Sequence, residues 1–462
     1  MRAAFLLSVA AMILTVPVFA AEEGAKTAMD SYTVLKYPET RKTDVADEQF
    51  GVKVVDPYRW LEDDVRTSKD VAEWVAVQKA VSDSYLDALP GKAALAAKMK
   101  TLYNYERYSL PEKAGGHYFF TKNDGLQNQS VLYVRKGLKG SDRILIDPNT
   151  WAKDGATALD SWVASKNGKL LAYAIQDGGS DWRTIKVLNV TTGKPLSDEI
   201  QWAKFTNISW VGNEGFLYSR FAAPSEGAAF QQLNYNQTVY FHKIGTPQSA
   251  DQVVYATPDR KELGHSAEVT QDGRWVVLTS SSGTDEKYEL NLIPLRKKRD
   301  WKAQPLVTGL DYDWQLIDGV GDKLYFVTNK NAAKLKVVRM DLFNRMTEMQ
   351  SPCAPTEDCN PDVWVEKDVI SERAETLDRA QIVGDRMVLS YLKDAASMAM
   401  MTDLNGKPVQ QIALNSIGTA SGFGGKPGDP ETFYAFSSFN QPGAIIVLTA
   451  VLANRHPSRF LN

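Results

Sequence analysis

The period of the apolar positions changes once along the chain, near residue 100. Before that point, Val71-Ala-Glu-Trp-Val-Ala-Val-Gln78 and Ala80–Leu89 repeat apolar residues at three- and four-residue spacing, which predicts helix, and Pro90-Gly91 ends the run. Ala93–Met99 continues in helix-forming residues. After residue 100 the chain breaks into short apolar or alternating runs set between Asn, Asp and Gly turns. Examples are His117–Thr121, Leu170–Ile175, Thr184–Val190, Trp275–Ser280, Leu324–Thr328 and Met387–Leu392. A turn followed by a β run recurs at Asn167-Gly-Lys-Leu-Leu, Asn213-Glu-Gly-Phe-Leu, Asp272-Gly-Arg-Trp-Val, Gly321-Asp-Lys-Leu-Tyr and Gly384-Asp-Arg-Met-Val, roughly 46 to 63 residues apart. With loop insertions allowed, that is near the ~40–50 residues of a propeller blade. A four-stranded blade cannot bury both faces alone, so blades pack radially and protect each other's edges. The pattern predicts a mainly β fold, a β-propeller preceded by an α-helical segment.

The N-terminus predicts export. Arg2 precedes an apolar run, Ala3–Val18, and Val18-Phe19-Ala20 reads as a cleavage site, giving a signal peptide over 1–20. The mature chain is expected in the periplasm or secreted, with no membrane contact once the signal is cut. No later stretch reaches the ~18 consecutive apolar residues of a membrane helix. In 462 residues, 53 Lys and Arg face 56 Asp and Glu, a net charge of −3. That balance lacks the basic footprint of a nucleic-acid binder. The one dense basic run, Arg296-Lys297-Lys298-Arg299, reads as a solvated loop. The two cysteines, Cys353 and Cys359, share a Pro-rich segment, and in an oxidising compartment they predict a local disulfide. A metal site would need further ligands, so neither metal nor cofactor is expected.

Longer strings carry a resemblance. Tyr37-Pro-Glu-Thr-Arg41 and Gly51-Val-Lys-Val-Val-Asp-Pro-Tyr-Arg-Trp-Leu-Glu-Asp63 resemble the opening segment of the prolyl oligopeptidase family. Gly179-Ser-Asp-Trp-Arg-Thr-Ile-Lys186, Phe241-His-Lys-Ile-Gly-Thr-Pro-Gln-Ser249, Thr328-Asn-Lys-Asn-Ala332, Tyr391-Leu-Lys-Asp-Ala395 and Phe436-Ser-Ser-Phe439 resemble its propeller strings, in the same order. The resemblance implies a seven-bladed propeller inserted after helices that belong to an α/β-hydrolase domain. It implies cleavage of short peptides after proline by a Ser-His-Asp triad. The domains expected are therefore 21–100 for the helical segment of the hydrolase, 101–445 for the propeller and 446–462 for an aberrant tail. Two positions carry over as substrate-binding, Phe205 in Ala203-Lys-Phe-Thr-Asn-Ile-Ser-Trp210 and, on the rim, Thr284 in Ser282-Gly-Thr-Asp285. An aromatic there offers apolar surface to a peptide side chain; the alternative for Phe205 is a plain core residue.

The chemistry itself is missing from these residues. An α/β-hydrolase nucleophile needs Gly-x-Ser-x-Gly, whose glycines permit the strained strand-to-helix turn, and no such string occurs. Gly178-Gly-Ser-Asp-Trp182 lacks the second glycine, so Ser180 reads as structural. Of the four histidines, His117 and His242 lie inside β runs and read as packing or rim residues. His265 reads as a loop residue able to border a cavity, and His456 falls in the tail. No catalytic residue is assigned. After Ile445 the expected Tyr-x-x-Asp…Gly-Lys strand is replaced by an apolar, then basic tail. Restoring one base after the Ile445 codon lets permitted codons read Tyr-Arg-Leu-Asp and later Gly-Lys, so a frameshift is the expected origin. The chain is expected to be the N-terminal and propeller part of a prolyl oligopeptidase-like serine endopeptidase, truncated and inactive alone, with a separate hydrolase domain among its candidate partners. The alternatives are a non-catalytic propeller that binds peptides or a protein partner, and a decayed remnant without a stable fold.

Overall fold

Successive residues of a strand point to opposite faces of its sheet, and in this protein both faces are buried. In Leu170–Gln176, Leu171 and Tyr173 enter one core cluster while Ala172 and Ala174 enter the next. In Gly215–Arg220, Phe216 and Tyr218 face one neighbour and Leu217 the other. Strands Lys323–Thr328 and Arg386–Lys393 divide in the same way. Two-sided burial explains why these segments read as continuous apolar runs rather than clean alternation. Each cluster is shared by two consecutive meanders, the shape a radial stack of sheets demands.

The computed structural model describes residues 35–225, 229, 232–295, 300–342 and 364–449. The signal peptide, the basic run Arg296–Arg299, both cysteines, His456 and the tail after Thr449 lie outside the described residues. The chain divides into two compact units between Thr101 and Leu102.

The first unit holds a two-stranded hairpin, Ala46–Gln49 with Val52–Val55, the helix α1 (Lys69–Asp87) and all but the last two residues of the helix α2 (Lys92–Tyr103). The segment before the hairpin lies along α1. The Trp74 indole donates to Thr40 Oγ1 (3.0 Å), the Gln78 amide to the Pro38 carbonyl (3.1 Å), and Arg41 pairs with Asp70 (2.8 Å). The apolar positions of these helices are poorly covered: α1 buries only Val71 and α2 buries nothing, leaving Leu95 62% and Met99 47% exposed.

The second unit is a β-propeller. Among the described residues it contains six hydrogen-bonded sheets rather than seven separate blades. The reason is one backbone pairing, Ala203 with Arg220, which joins the meander Ala158–Ala203 to the meander Ser209–Tyr255 as a single eight-stranded sheet. The ring closes without a shared strand. Phe433 of the last sheet packs between Tyr118 and Phe120 of the first, and Glu431 accepts from Lys113 Nζ and the Tyr118 hydroxyl, both at 2.7 Å. The last sheet has three strands, Thr419–Gly424, Glu431–Ser438 and Gln441–Thr449. Position 446 is no break in this sheet: Ile446 pairs with Tyr434 and enters the core, and Thr449 pairs with Glu431.

Candidate functional site

The first strand of each meander lines the axis of the ring, and the two ends of these strands differ. At their C-terminal ends lie two adjoining cavities of about 650 and 300 Å³, which share Val163, Ala164, Gln271 and Lys426. Their walls carry opposed charges. Glu268 is reached by solvent but walled in by protein, and burial followed by repulsion from Asp318 pushes its carboxyl up to about 7. Burial also raises Asp318, to about 6, although it accepts from the Gln271 and Gly319 amides. Burial lowers the Lys426 ammonium.

A third cavity, of about 430 Å³, opens at the other end, where the first strands begin. Phe205 and Thr284 both line it, together with Phe221, Leu263, His265 and Tyr288. Two positions more than a blade apart in the chain thus line one cavity. Phe205 is not a core residue: it is 53% exposed and sits at φ +51°, a backbone conformation in which a bulky side chain is a genuine outlier. Phe221 meets it edge-on with ring centroids 6.5 Å apart, and Lys204 Nζ stands 5.0 Å over its face. Thr284 is exposed on the rim, just after Gly283 at φ +57°.

His265 belongs to the strand Leu263–Val269, not to a loop, and it borders the cavity from within. Thr257 Oγ1 donates to the Arg260 carbonyl (3.2 Å) and therefore accepts from His265 Nε2 (3.0 Å). Nδ1 then accepts from Ser280 Oγ (2.9 Å). Burial, with nearby Arg260, pulls this imidazole down to about 4, so it is neutral at neutral pH. Its partners are a serine and a threonine already committed to the fold. Gln237, which sequence reading did not single out, joins the cavity walls. Its amide donates to the Lys204 and Phe205 carbonyls and accepts from the His265 amide. No periodicity or motif marks a buried glutamine, and only the loop's tertiary path shows what it does.

The other candidates separate in space. His242 is fully buried between Asp251 (Nδ1 to Oδ1, 2.7 Å) and Asp198 (Nε2 to Oδ1, 3.0 Å), a charged cluster rather than a packing or rim position. His117 lies in the first sheet. Ser180 caps a turn, its Oγ accepting from the Trp182 amide (3.1 Å), with no histidine among its hydrogen-bond partners. The described residues contain no group of His, Cys, Asp and Glu suited to hold a metal ion, and no helix long and apolar enough to cross a membrane.

Meanders stacked in a closed ring, each core cluster shared by two neighbouring sheets, define a β-propeller domain. Residues 37–458 match the profile of the prolyl oligopeptidase N-terminal beta-propeller domain, and the chain belongs to that family. The prolyl endopeptidase of Elizabethkingia meningoseptica is 38% identical over 441 residues, 96% of this chain and 59% of the relative; that of Elizabethkingia miricola is 37% identical over 432 residues, 94% and 58%. Among solved structures, a chain from a study of two prolyl endopeptidases is 44% identical with a TM-score of 0.67, covering 89% of this chain and 57% of its own. Prolyl oligopeptidase B of Galerina marginata bound to a 25mer macrocyclization substrate is 27% identical with a TM-score of 0.78, covering 92% and 61%. The chain thus spans about three fifths of the length of the relatives it matches and corresponds to their propeller portion.

Proposed function

We propose that this chain is the substrate-selecting part of a prolyl-directed serine peptidase that acts on short proline-containing peptides outside the cytoplasm. The cavity of Phe205 and Thr284 takes a peptide side chain, and an α/β-hydrolase domain supplies the nucleophile. The observation that carries this reading is that Phe205 and Thr284 line one cavity, together with Phe221, Leu263 and Tyr288. The end where the first strands begin exposes Phe205, Leu233, Tyr312, Leu392, Ile417 and Phe439, the last two almost completely. Exposed apolar side chains around the cavity support docking of the hydrolase domain at that end. The uncovered faces of α1 and α2 support their assignment to the same hydrolase. The ring counts as seven blades when the eight-stranded sheet is taken as two, since its halves share only one backbone pairing and each half contributes to its own pair of core clusters.

The test is calorimetric titration of the chain with an N-blocked Gly-Pro peptide. Saturable binding is expected, weakened about tenfold by Phe205→Ala, the scale of a lost aromatic wall. Equal affinity of the two proteins, or equal affinity for a proline-free peptide, would remove the cavity from the reading.

A further inference from the structure

Phe205 holds a strained backbone conformation on a surface loop, and such a conformation persists only where its surroundings impose it. The loop leaves the strand Pro195–Ala203 and reaches Ser209 through Lys204, Phe205 and Thr206. Two carbonyls in it, those of Lys204 and Phe205, have no place in a strand ladder. Both accept from one group: Gln237 Nε2 lies 2.9 Å from the Lys204 oxygen and 3.0 Å from the Phe205 oxygen. The same amide turns its Oε1 toward the backbone of the strand across the cavity, accepting from the His265 N–H at 2.6 Å. Gln237 is 2% exposed. Both N–H bonds and the oxygen are therefore used, in the one orientation that satisfies all three partners. A second tie, Ser219 N–H to Thr206 Oγ1 (2.6 Å), fixes the loop one residue further on.

From this geometry we infer that Gln237 is a positioning residue for peptide binding: it clamps the Phe205 loop to the strand of His265 and so sets how far the phenyl ring stands into the cavity. The clamp ties together two walls contributed by different meanders, so it fixes the width of the cavity as well as the ring. The inference rests on the proposed role of the cavity in peptide binding, but its structural content is separately testable. Leucine at 237 matches the shape and leaves the Lys204 and Phe205 carbonyls and the buried His265 N–H without these partners. Glutamate at 237, when ionised, sets a carboxylate against two carbonyl oxygens; when protonated, it regains one donor.

The experiment uses the full chain labelled with fluorophenylalanine, with the Phe205 ¹⁹F resonance assigned by Phe205→Ala, and amide hydrogen exchange at His265. In Gln237→Leu the Phe205 resonance is expected to shift or broaden. Exchange at His265 should rise about ten- to a hundredfold, the scale of buried hydrogen bonds left unmade. Exchange at Val276–Leu278 in the neighbouring strand should stay unchanged. In Gln237→Glu the Phe205 signal should return toward the wild-type position as pH falls. The wild-type profile over the same range accounts for the other groups around the site, His265, Glu262, Lys204 and the Arg260–Glu289 pair. A Phe205 resonance and a His265 exchange rate that match wild type in Gln237→Leu would overturn the inference. Should that variant fail to fold, a Phe205 signal in Gln237→Glu that does not follow pH overturns it equally. If the ring moves but the affinity for the N-blocked Gly-Pro peptide does not, the clamp stands and the cavity's peptide role falls.

Discussion

Two buried histidines show how far a residue's chemistry depends on its immediate partners. His265 meets hydroxyls, and burial holds it neutral. His242 meets carboxylates on both ring nitrogens. Burial opposes its charge, but the hydrogen bonds to Asp251 and Asp198 outweigh that cost and raise its pKa above the ordinary 6.5. Tyr218 OH donates to the second oxygen of Asp251 and the Gly245 amide to Asp198, so the cluster ties Pro195–Ala203 to the next meander. The two residues shape stability with opposite signs. His265 favours the fold most above 6.5, and its contribution, on the order of 3 kcal/mol, is lost as pH falls from 6.5 toward 4. His242 contributes fully below 6.5, and its contribution is lost as pH rises through its raised value. Histidine ring NMR titration should therefore give one midpoint near 4 and one above 6.5, with thermal stability greatest near 6.5. A single midpoint at 6.5 for both would refute the assignment. From the sequence these were two histidines in or beside β runs. The charged partners of His242 are nine and 44 residues away, so its role was not legible there.

At the scale of elements, the turns decide how closely neighbouring meanders approach. Gly115 and Gly116 form the tip of a hairpin in the first sheet, both at positive φ. A Cβ on Gly115 would lie 1.9 Å from the Asn167 carbonyl of the next meander, and one on Gly116 would meet nothing within 4 Å. A Cβ on Gly168 would in turn lie 2.5 Å from the Ala114 carbonyl. Gly116→Ala should cost about 1 kcal/mol, the price of the left-handed backbone alone. Gly115→Ala adds a backbone collision and should lower the denaturation midpoint well beyond that. Equal losses in urea unfolding would show that the two turns do not touch. The strings at Asn167-Gly168 and Asp272-Gly273 announced two of the turns, because only a few residues accept these φ values. Which glycine lies against a neighbour was invisible in them.

For the whole molecule, the closing seam differs from the others. Phe433, Tyr118 and Phe120 are the only residues of its cluster that are fully buried among those described, where the other seams bury nine or ten. Phe433→Ala should cost about 3–5 kcal/mol if the seam cannot collapse around the gap. Hydrogen exchange should then speed first in Glu431–Ser438 and His117–Asn123, leaving Leu324–Thr328 protected. Uniform loss of protection around the ring would mean that the seam is no weaker than the rest.

Local information settled what local physics controls. The change of apolar period near residue 100, the turn strings and the two-sided apolar runs determined helices first, then a propeller, and the family strings named its kin. The blades' separateness was not determined in the same way, because one long-range pairing, Ala203 with Arg220, merges two meanders. Phe205 and Thr284 could be marked one at a time, but only the folded ring brings them to one cavity. Gln237 and the partners of His242 came from the structure alone, since a hydrogen bond across a loop leaves no period in the chain that makes it.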